Sequence, residues 1–395
     1  QNGLMAVELE AASPTLAVSG SGRVELSDEL QSELRFRVTN TTLDPFIRTL
    51  QPGLPEETSL VTSGTIQVEG SLANVEQLTI DAIAEQLDLR LFDYGVSNSG
   101  PVSFALNDNV IHVTQMELEG EGTALKLSGD IVLSDEQLSL DVNGDASLDI
   151  LQGFFPDVRG SGTMSMVTEL SGSFAAPTLI GEARVTDGRL RHFSLPHSLD
   201  EVNGTVVFEP GSVQLDGLAA KLGGGSVRFG GQIGLQGYQV GVLDVTATGE
   251  NMALRVEGIR SDVDADLTLR GSVGSPTLGG VVNVRDAIWL DLFQTNGGLI
   301  SLSGGQETPV VSVEEDALPL NYDLQISAPS SLRVSDNRAQ IVASADLMLR
   351  GTFSQPILVG NAEIDRGQIY FEGNRYRVIR GNVGFSNPIE IEPFF

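Results

Sequence analysis

Four segments of the chain alternate apolar and polar residues and carry a glycine at a matching place on the apolar phase. Leu125, Leu127, Gly129, Ile131 and Leu133 share one phase, and Val227, Phe229, Gly231, Ile233 and Leu235 repeat it. The pattern returns as Leu267, Leu269, Gly271 and Val273, and again as Leu347, Leu349, Gly351 and Phe353. A looser copy is Met166, Thr168, Leu170, Gly172 and Phe174. Side chains alternate faces along an extended strand, so each segment reads as a strand with one apolar and one wet face. A glycine on the apolar phase marks a bend, a bulge or a crowded corner. Its recurrence means that one structural unit is being reused.

A longer repeat overlaps three copies. Gly172-Ser173-Phe174 leads through Pro177 to Gly181, Val185 and Gly188; Gly271-Ser272-Val273 leads through Pro276 to Gly280 and Val284. Gly351-Thr352-Phe353 leads through Pro356 to Gly360, Ile364 and Gly367. The proline reads as ending one strand's ladder and the glycine as letting the next strand start. Two short helices are expected, at 44–50 and 149–155, each with an aspartate as N-cap. At roughly 10 to 14 residues per strand and turn the chain holds about 30 strands, a rod about 140 Å long at ~4.8 Å spacing. The expected fold is all-β: an elongated, curled, repetitive sheet with an apolar interior and a few short helices. Its parts are 1–160 with the helical insertions, 161–270 and 271–395, in one continuous rod.

The charge narrows the partners. Acids number 53 against 23 Lys and Arg, a net charge of −30, and nucleic-acid binding needs clustered cations to neutralise phosphates. No cysteine is present, which removes disulfides, Cys-based zinc sites and thiol chemistry and suits an oxidising compartment. No leader is seen at Gln1 and no run of about 18 apolar residues could span a bilayer. The stretch reads as soluble, with any targeting or anchoring segment lying outside it.

Chemistry is absent from the motifs. His112, His192 and His197 read as surface or turn residues, the last two on opposite faces of a strand, without the carboxylate or cysteine partners of a metal site. Asp262, Asp264 and Asp266 imitate the first half of a calcium loop, but Leu267 stands where glycine is required. They read as the wet face of a strand whose other face is Val263, Ala265 and Leu267. Gly223-Gly224-Gly225 is no dinucleotide motif, because Arg228 occupies the last glycine's place. With no nucleophile elbow either, no enzyme activity, metal or cofactor is expected. An adhesive or carbohydrate-active solenoid would want aromatic platforms, and only 6% of residues are aromatic. What remains is the apolar face, which must be covered by a second sheet, by its own curl or by an apolar ligand. Its aliphatic, aromatic-poor lining favours a groove that holds ligand.

The last residues add a resemblance. From Gly351 to Phe395 the sequence carries Gly351-Thr352-x-x-x-Pro356-x-Leu358-x-Gly360, then Arg366-Gly367, Phe371-x-Gly373-Asn374 and Gly384-Phe385-x-Asn387-Pro388. This stretch resembles the C-terminal domain of the TamB family, and Leu195 to Leu235 also looks like a TamB segment. The resemblance implies a periplasmic, AsmA-like bridge protein anchored in the inner membrane by an N-terminal helix and working with an outer-membrane barrel of the TamA type. It implies a taco-shaped β-groove that passes phospholipid acyl chains between the two membranes, or alternatively an assembly factor for outer-membrane β-barrel proteins. On that reading the apolar residues of the four matching segments line the groove.

Overall fold

The structure, a computed structural model, describes residues 3–45, 48, 58–74, 77–91, 94–153, 155, 157–173, 176–193, 195–236, 239–256, 258–289, 319–335, 338–385 and 393–394. Phe174, Asn387, Pro388 and most of the expected helix at 44–50 lie outside them; residues 44, 45 and 48 are helical. Nearly everything else is strand, as the alternation requires. Contacts divide the chain into two units, 1–190 with 205–212 and 236–238, and 191–204 with 213–235 and 239–395.

The first unit begins with β1 (Gly3–Ala12), β2 (Ala17–Leu26), β3 (Gln31–Thr42), β4 (Ser59–Ser71) and β5 (Thr79–Leu91), an antiparallel meander. β6 (Tyr94–Asn98) and β7 (Val102–Asn107) then share one strand's place between β5 and β8 (Val110–Gly120). The meander continues through β9 (Thr123–Val132), β10 (Gln137–Ser147) and β11 (Val158–Ser173). β12 (Ala176–His192) lies against β11, with Gly181 backed onto Val167. The expected helix at 149–155 is a 3-10 turn, Leu148–Gly153. Its cap is Ser147 rather than Asp149: the Asp149 N–H donates to the Ser147 hydroxyl at 3.2 Å.

The second unit contains β13 (Leu199–Glu209), β14 (Ser212–Leu222), β15 (Gly225–Gln236) and β16 (Gln239–Val256), apart from short ends of β13 to β15. β17 (Ile259–Ser272), β18 (Thr277–Trp289), β19 (Asn321–Ser335), β20 (Ala339–Thr352) and β21 (Pro356–Phe371) follow in order. β22 (Asn374–Val378), β23 (Asn382–Phe385) and β24 (Pro393–Phe394) complete the unit. From β16 to β21 each strand pairs with the next, antiparallel except for β18 with β19, which run parallel. The strand count among the described residues falls below the sequence estimate because single strands reach 18 residues.

Many strands carry β-bulges, and the bulges fall close to one level of the sheet. In the second unit they fall between Gly249 and Met252 of β16, at Arg285 of β18, between Ala328 and Leu332 of β19 and at Asp365 of β21. They face neighbouring positions of the unbulged strands, Asp262–Ala265 of β17 or Val342–Ala345 of β20. In the first unit the bulges of β3 and β5 both face Thr62–Gly64 of β4. A bulge bends its strand and increases its twist, so a row of them creases the sheet. The buried row of the second unit lies on that crease: Met252, Val263, Ala265, Val284, Ala287, Ala328 and Ala345, with Val227. The small side chains let the two arms of the sheet approach. This row is the physical basis of the curl.

The glycines sit away from the crease in several strands: Gly172, Gly271 and Gly351 are next to last in β11, β17 and β20. All five that the alternation singled out adopt left-handed φ, from 85° at Gly351 to 138° at Gly129. The longer repeat needs one correction. Pro177 and Pro356 lie at the start of β12 and β21, and Pro276 directly precedes β18, so each proline opens a strand, where its missing N–H spoils no ladder. Gly280 and Gly360 follow four residues into their strands with φ of 126° and 138°.

The outer face is wet. Lys126 meets Glu117 at 2.8 Å, Arg270 meets Asp244 at 2.8 Å and Lys221 meets Glu201 at 2.6 Å, all across neighbouring strands. Exposed pairs of this kind contribute about 0–1 kcal/mol each; they fix which face points outward more than they stabilise it. Asp264 lies here, 3.7 Å from Arg285, while Val263 and Ala265 are buried on the other side. His112 Nδ1 meets Asp130 at 2.6 Å. His192 ends β12 and His197 lies beyond it, so the two do not share a strand; the His197 ring accepts the Arg255 N–H at 2.9 Å.

Candidate functional site

Among the described residues the inner faces of the strands carry no charge. Across the second unit, register builds the ladder Ala247, Leu267, Gly280, Leu324, Leu349, Leu358 from β16 to β21. The neighbouring ladder is Gly249, Ala265, Val282, Ile326, Leu347, Gly360, and a third runs Val245, Leu269, Leu278, Tyr322, Gly351, Pro356. Away from the crease most of these side chains are only half-buried: Leu267, Leu269, Leu347 and Leu349 keep partial access, while Leu324 is buried. Apolar residues in the middle of a long sheet, left incompletely covered, form a trough rather than a packed core.

In the first unit the inner face of the sheet walls an open cavity of about 640 Å³. Its walls come from β2, β3, β4, β5, β7, β8 and β9, including Val18, Val38, Leu60, Ile66, Leu87, Leu89, Phe104 and Leu127. Neighbouring strands of one sheet can wall a cavity only if the sheet curls. Threonines 41, 62 and 65 are the polar side chains among these walls. The volume falls within the roughly 300–1,000 Å³ of small-ligand sites, and the lining offers hydrocarbon contact and nothing to catalyse with. Among the described residues no group of three or more His, Cys, Asp or Glu could hold a metal ion.

The residues expected to line the groove separate into lining and rim. Leu125 is buried with Leu118 and Ala146, Leu127 packs against them, and Ile131 is half-buried. Val227 belongs to the buried row of the second unit, and Phe229, Leu267 and Leu347 pack against it. Ile233, Leu235, Leu269 and Leu349 are half-buried along the same strands. Leu133, Val273 and Phe353 fall just past their strands, in turns; Leu133 is 40% and Val273 46% exposed, so they mark the rim. The walls contributed by β3, β5 and β8 were not anticipated. Each of these strands is bulged, so its apolar phase switches midway: Ile80, Ala82 and Ala84 give way to Leu87 and Leu89 in β5. The signal was there, in two half-strands out of phase.

Two tyrosines stand in this apolar setting. Tyr94 is buried beside the 3-10 turn and hydrogen-bonds Thr123, whose hydroxyl accepts the Ser147 N–H at 3.0 Å. Burial pushes the Tyr94 and Tyr322 phenols above their ordinary 10.0. An acid whose folded pKa is raised stabilises the fold fully below its unfolded pKa, and that contribution is lost as pH climbs through the folded value. Stability should therefore fall as pH rises above about 10. Tyr94→Phe should remove a late-titrating phenolate from the absorbance titration.

The profile of the TamB C-terminal domain matches residues 216–395, from within β14 onward. No curated protein and no solved structure matches the chain. TamB proteins are membrane-associated envelope proteins of a transport and assembly family, tied to the machinery that builds the outer membrane. The uncharged trough of the second unit is built almost wholly from those matched residues, so residues 216–395 are similar to a TamB C-terminal domain.

Proposed function

We propose that this chain carries phospholipid acyl chains along its apolar groove between the inner and outer membranes. The observation that supports this most is the run of half-buried aliphatic ladders from β16 to β21 without one charged inner residue. Such a lining solvates hydrocarbon at about 25 cal/mol per Å² of covered apolar surface. It offers the same contact at each step, so a chain can slide without meeting a deep well. Head groups remain at the open seam, in water. The periplasm is the compartment this reading requires. A helix outside the described residues would supply the inner-membrane anchor, since no described helix is long and apolar enough to cross a bilayer. A TamA-like barrel would receive the groove at the outer membrane.

A photo-reactive phenylalanine at Phe229 or Leu349 tests the proposal. Crosslinked phospholipid at both positions, together with lipid extracted from the purified protein, is the expected result. Clean protein with neither would sink it. A second reading, an assembly factor for outer-membrane β-barrel proteins, draws on the edge of β1, which pairs among the described residues with β2 alone. Such an edge can accept an added strand, and crosslinks from β1 to barrel proteins would favour it.

A further inference from the structure

The hairpin of β21 and β22 reverses the charge of its surroundings. Its strands join through Glu372-Gly373, both with positive φ, 49° and 77°, a tight turn whose twist matches that of the strands. Ile369 pairs with Tyr376 and Phe371 with Asn374, which places the two aromatic rings and Ile369 on one face. Tyr370 pairs with Arg375 and Gln368 with Arg377, which places these arginines on the other. The first face continues the groove, because Ile369 also pairs with Ala339 of β20. Unlike the groove it is bare: Phe371 is 61% exposed and Tyr376 53%, and just past the end of β22 Ile379 is 86% exposed.

Residues 366–380 hold Arg366, Arg375, Arg377 and Arg380 against one acid, Glu372, in a chain whose acids outnumber its Lys and Arg 53 to 23. The neighbouring Asp365 is engaged by the Ser344 hydroxyl at 2.9 Å. Several cations outside the hairpin are answered: Lys126, Lys221, Arg270 and Arg333 each sit against a carboxylate. Among the described residues none of these four arginines does.

We propose that this hairpin docks on the surface of a bilayer that carries anionic phospholipids. Phe371, Tyr376 and Ile379 enter the boundary between head groups and acyl chains, and the four arginines take the phosphates. Aromatic rings settle at that depth, guanidinium forks match phosphate oxygens, and an amphipathic element with a basic polar face lies in the interface plane. Arg375 and Arg377 stand on the opposite face of the hairpin from Phe371 and Tyr376, with the Tyr370 ring beside the arginines. A head-group layer satisfies both at once, whereas one flat protein surface meets only one. The acidic remainder of the chain is repelled by the same membrane, so contact is confined to this hairpin.

The test floats the full chain with vesicles of phosphatidylcholine alone, or with phosphatidylglycerol added. Wild type should partition only onto the phosphatidylglycerol vesicles, and less as salt is raised. Each cation near an anionic surface counts for about fivefold, so R375E/R377E should lower partition by about a hundredfold or more, and F371S/Y376S by about tenfold. These side chains are exposed, so the variants should melt with wild type. Equal partition onto both vesicles, or an R375E/R377E protein that floats like wild type, overturns the proposal. So does wild type that ignores the vesicles while capturing an outer-membrane barrel protein through this hairpin. Docking does not rest on the groove carrying lipid. Acyl-chain crosslinking at Leu349, measured in detergent-solubilised phospholipid, should persist in R375E/R377E, so the two readings fail separately.

Discussion

Leu349→Asp is expected to stop transfer of a fluorescent phospholipid between donor and acceptor vesicles while leaving the protein folded. Leu349 stands between Leu324 of β19 and Leu358 of β21 in an unbroken apolar ladder. With the groove empty, an aspartate there faces water and stays hydrated, so the fold loses about 1–2 kcal/mol, the ordinary loss for a half-buried leucine. Once an acyl chain arrives, the carboxylate must shed that water against hydrocarbon. An unpaired charge cannot do so for less than about 3 kcal/mol, which lowers passage about a hundredfold or more. Leu349→Ala keeps the wall apolar and should retain most of the transfer. If aspartate and alanine behave alike, hydrocarbon does not travel past this position.

Gly280→Val is the change expected to damage the fold most. Gly280 has a φ of 126°, and a Cβ built on it would lie 2.1 Å from the Asp266 carbonyl oxygen of β17. Backbone cannot withdraw as a flexible side chain can, and a β-branched residue tolerates this φ least. The two penalties together come to about 3–5 kcal/mol, a large share of the roughly 5–15 kcal/mol that holds a domain folded. The strand pairing of β17 with β18 should open first, seen as faster amide exchange along both. Gly95 is the control: its Cβ would meet only the Leu89 carbonyl oxygen, at 4.0 Å, and its φ is not left-handed. Gly95→Ala should stay within about 0.5 kcal/mol of wild type.

The sequence made the strands legible wherever a strand runs unbulged. β9, β17 and β20 hold one apolar phase from end to end, and these are three of the four segments where the alternation was plain. Bulged strands hide the same pattern, since one extra residue moves every later side chain to the opposite face. That is why the walls from β3, β5 and β8 escaped notice. Glycine was read correctly as a special position, yet the bend belongs to the bulges, and its tight packing to Ala265, Ala287, Ala328 and Ala345. The parallel step from β18 to β19 had no local signature, because strand direction depends on where the chain returns and not on the residues of either strand. The rim residues Leu133, Val273 and Phe353 were indistinguishable from lining for a similar reason: alternation does not say where a strand stops.

The aligned bulges also settle what can vary. Each bulged strand brings its own bend, and the inner ladders pass from strand to strand without a side chain unique to any join. Cross-section is therefore a property of the strands, and length is a property of their number. Within a unit, such a sheet can be resized by duplication or loss of whole hairpins with its gauge preserved.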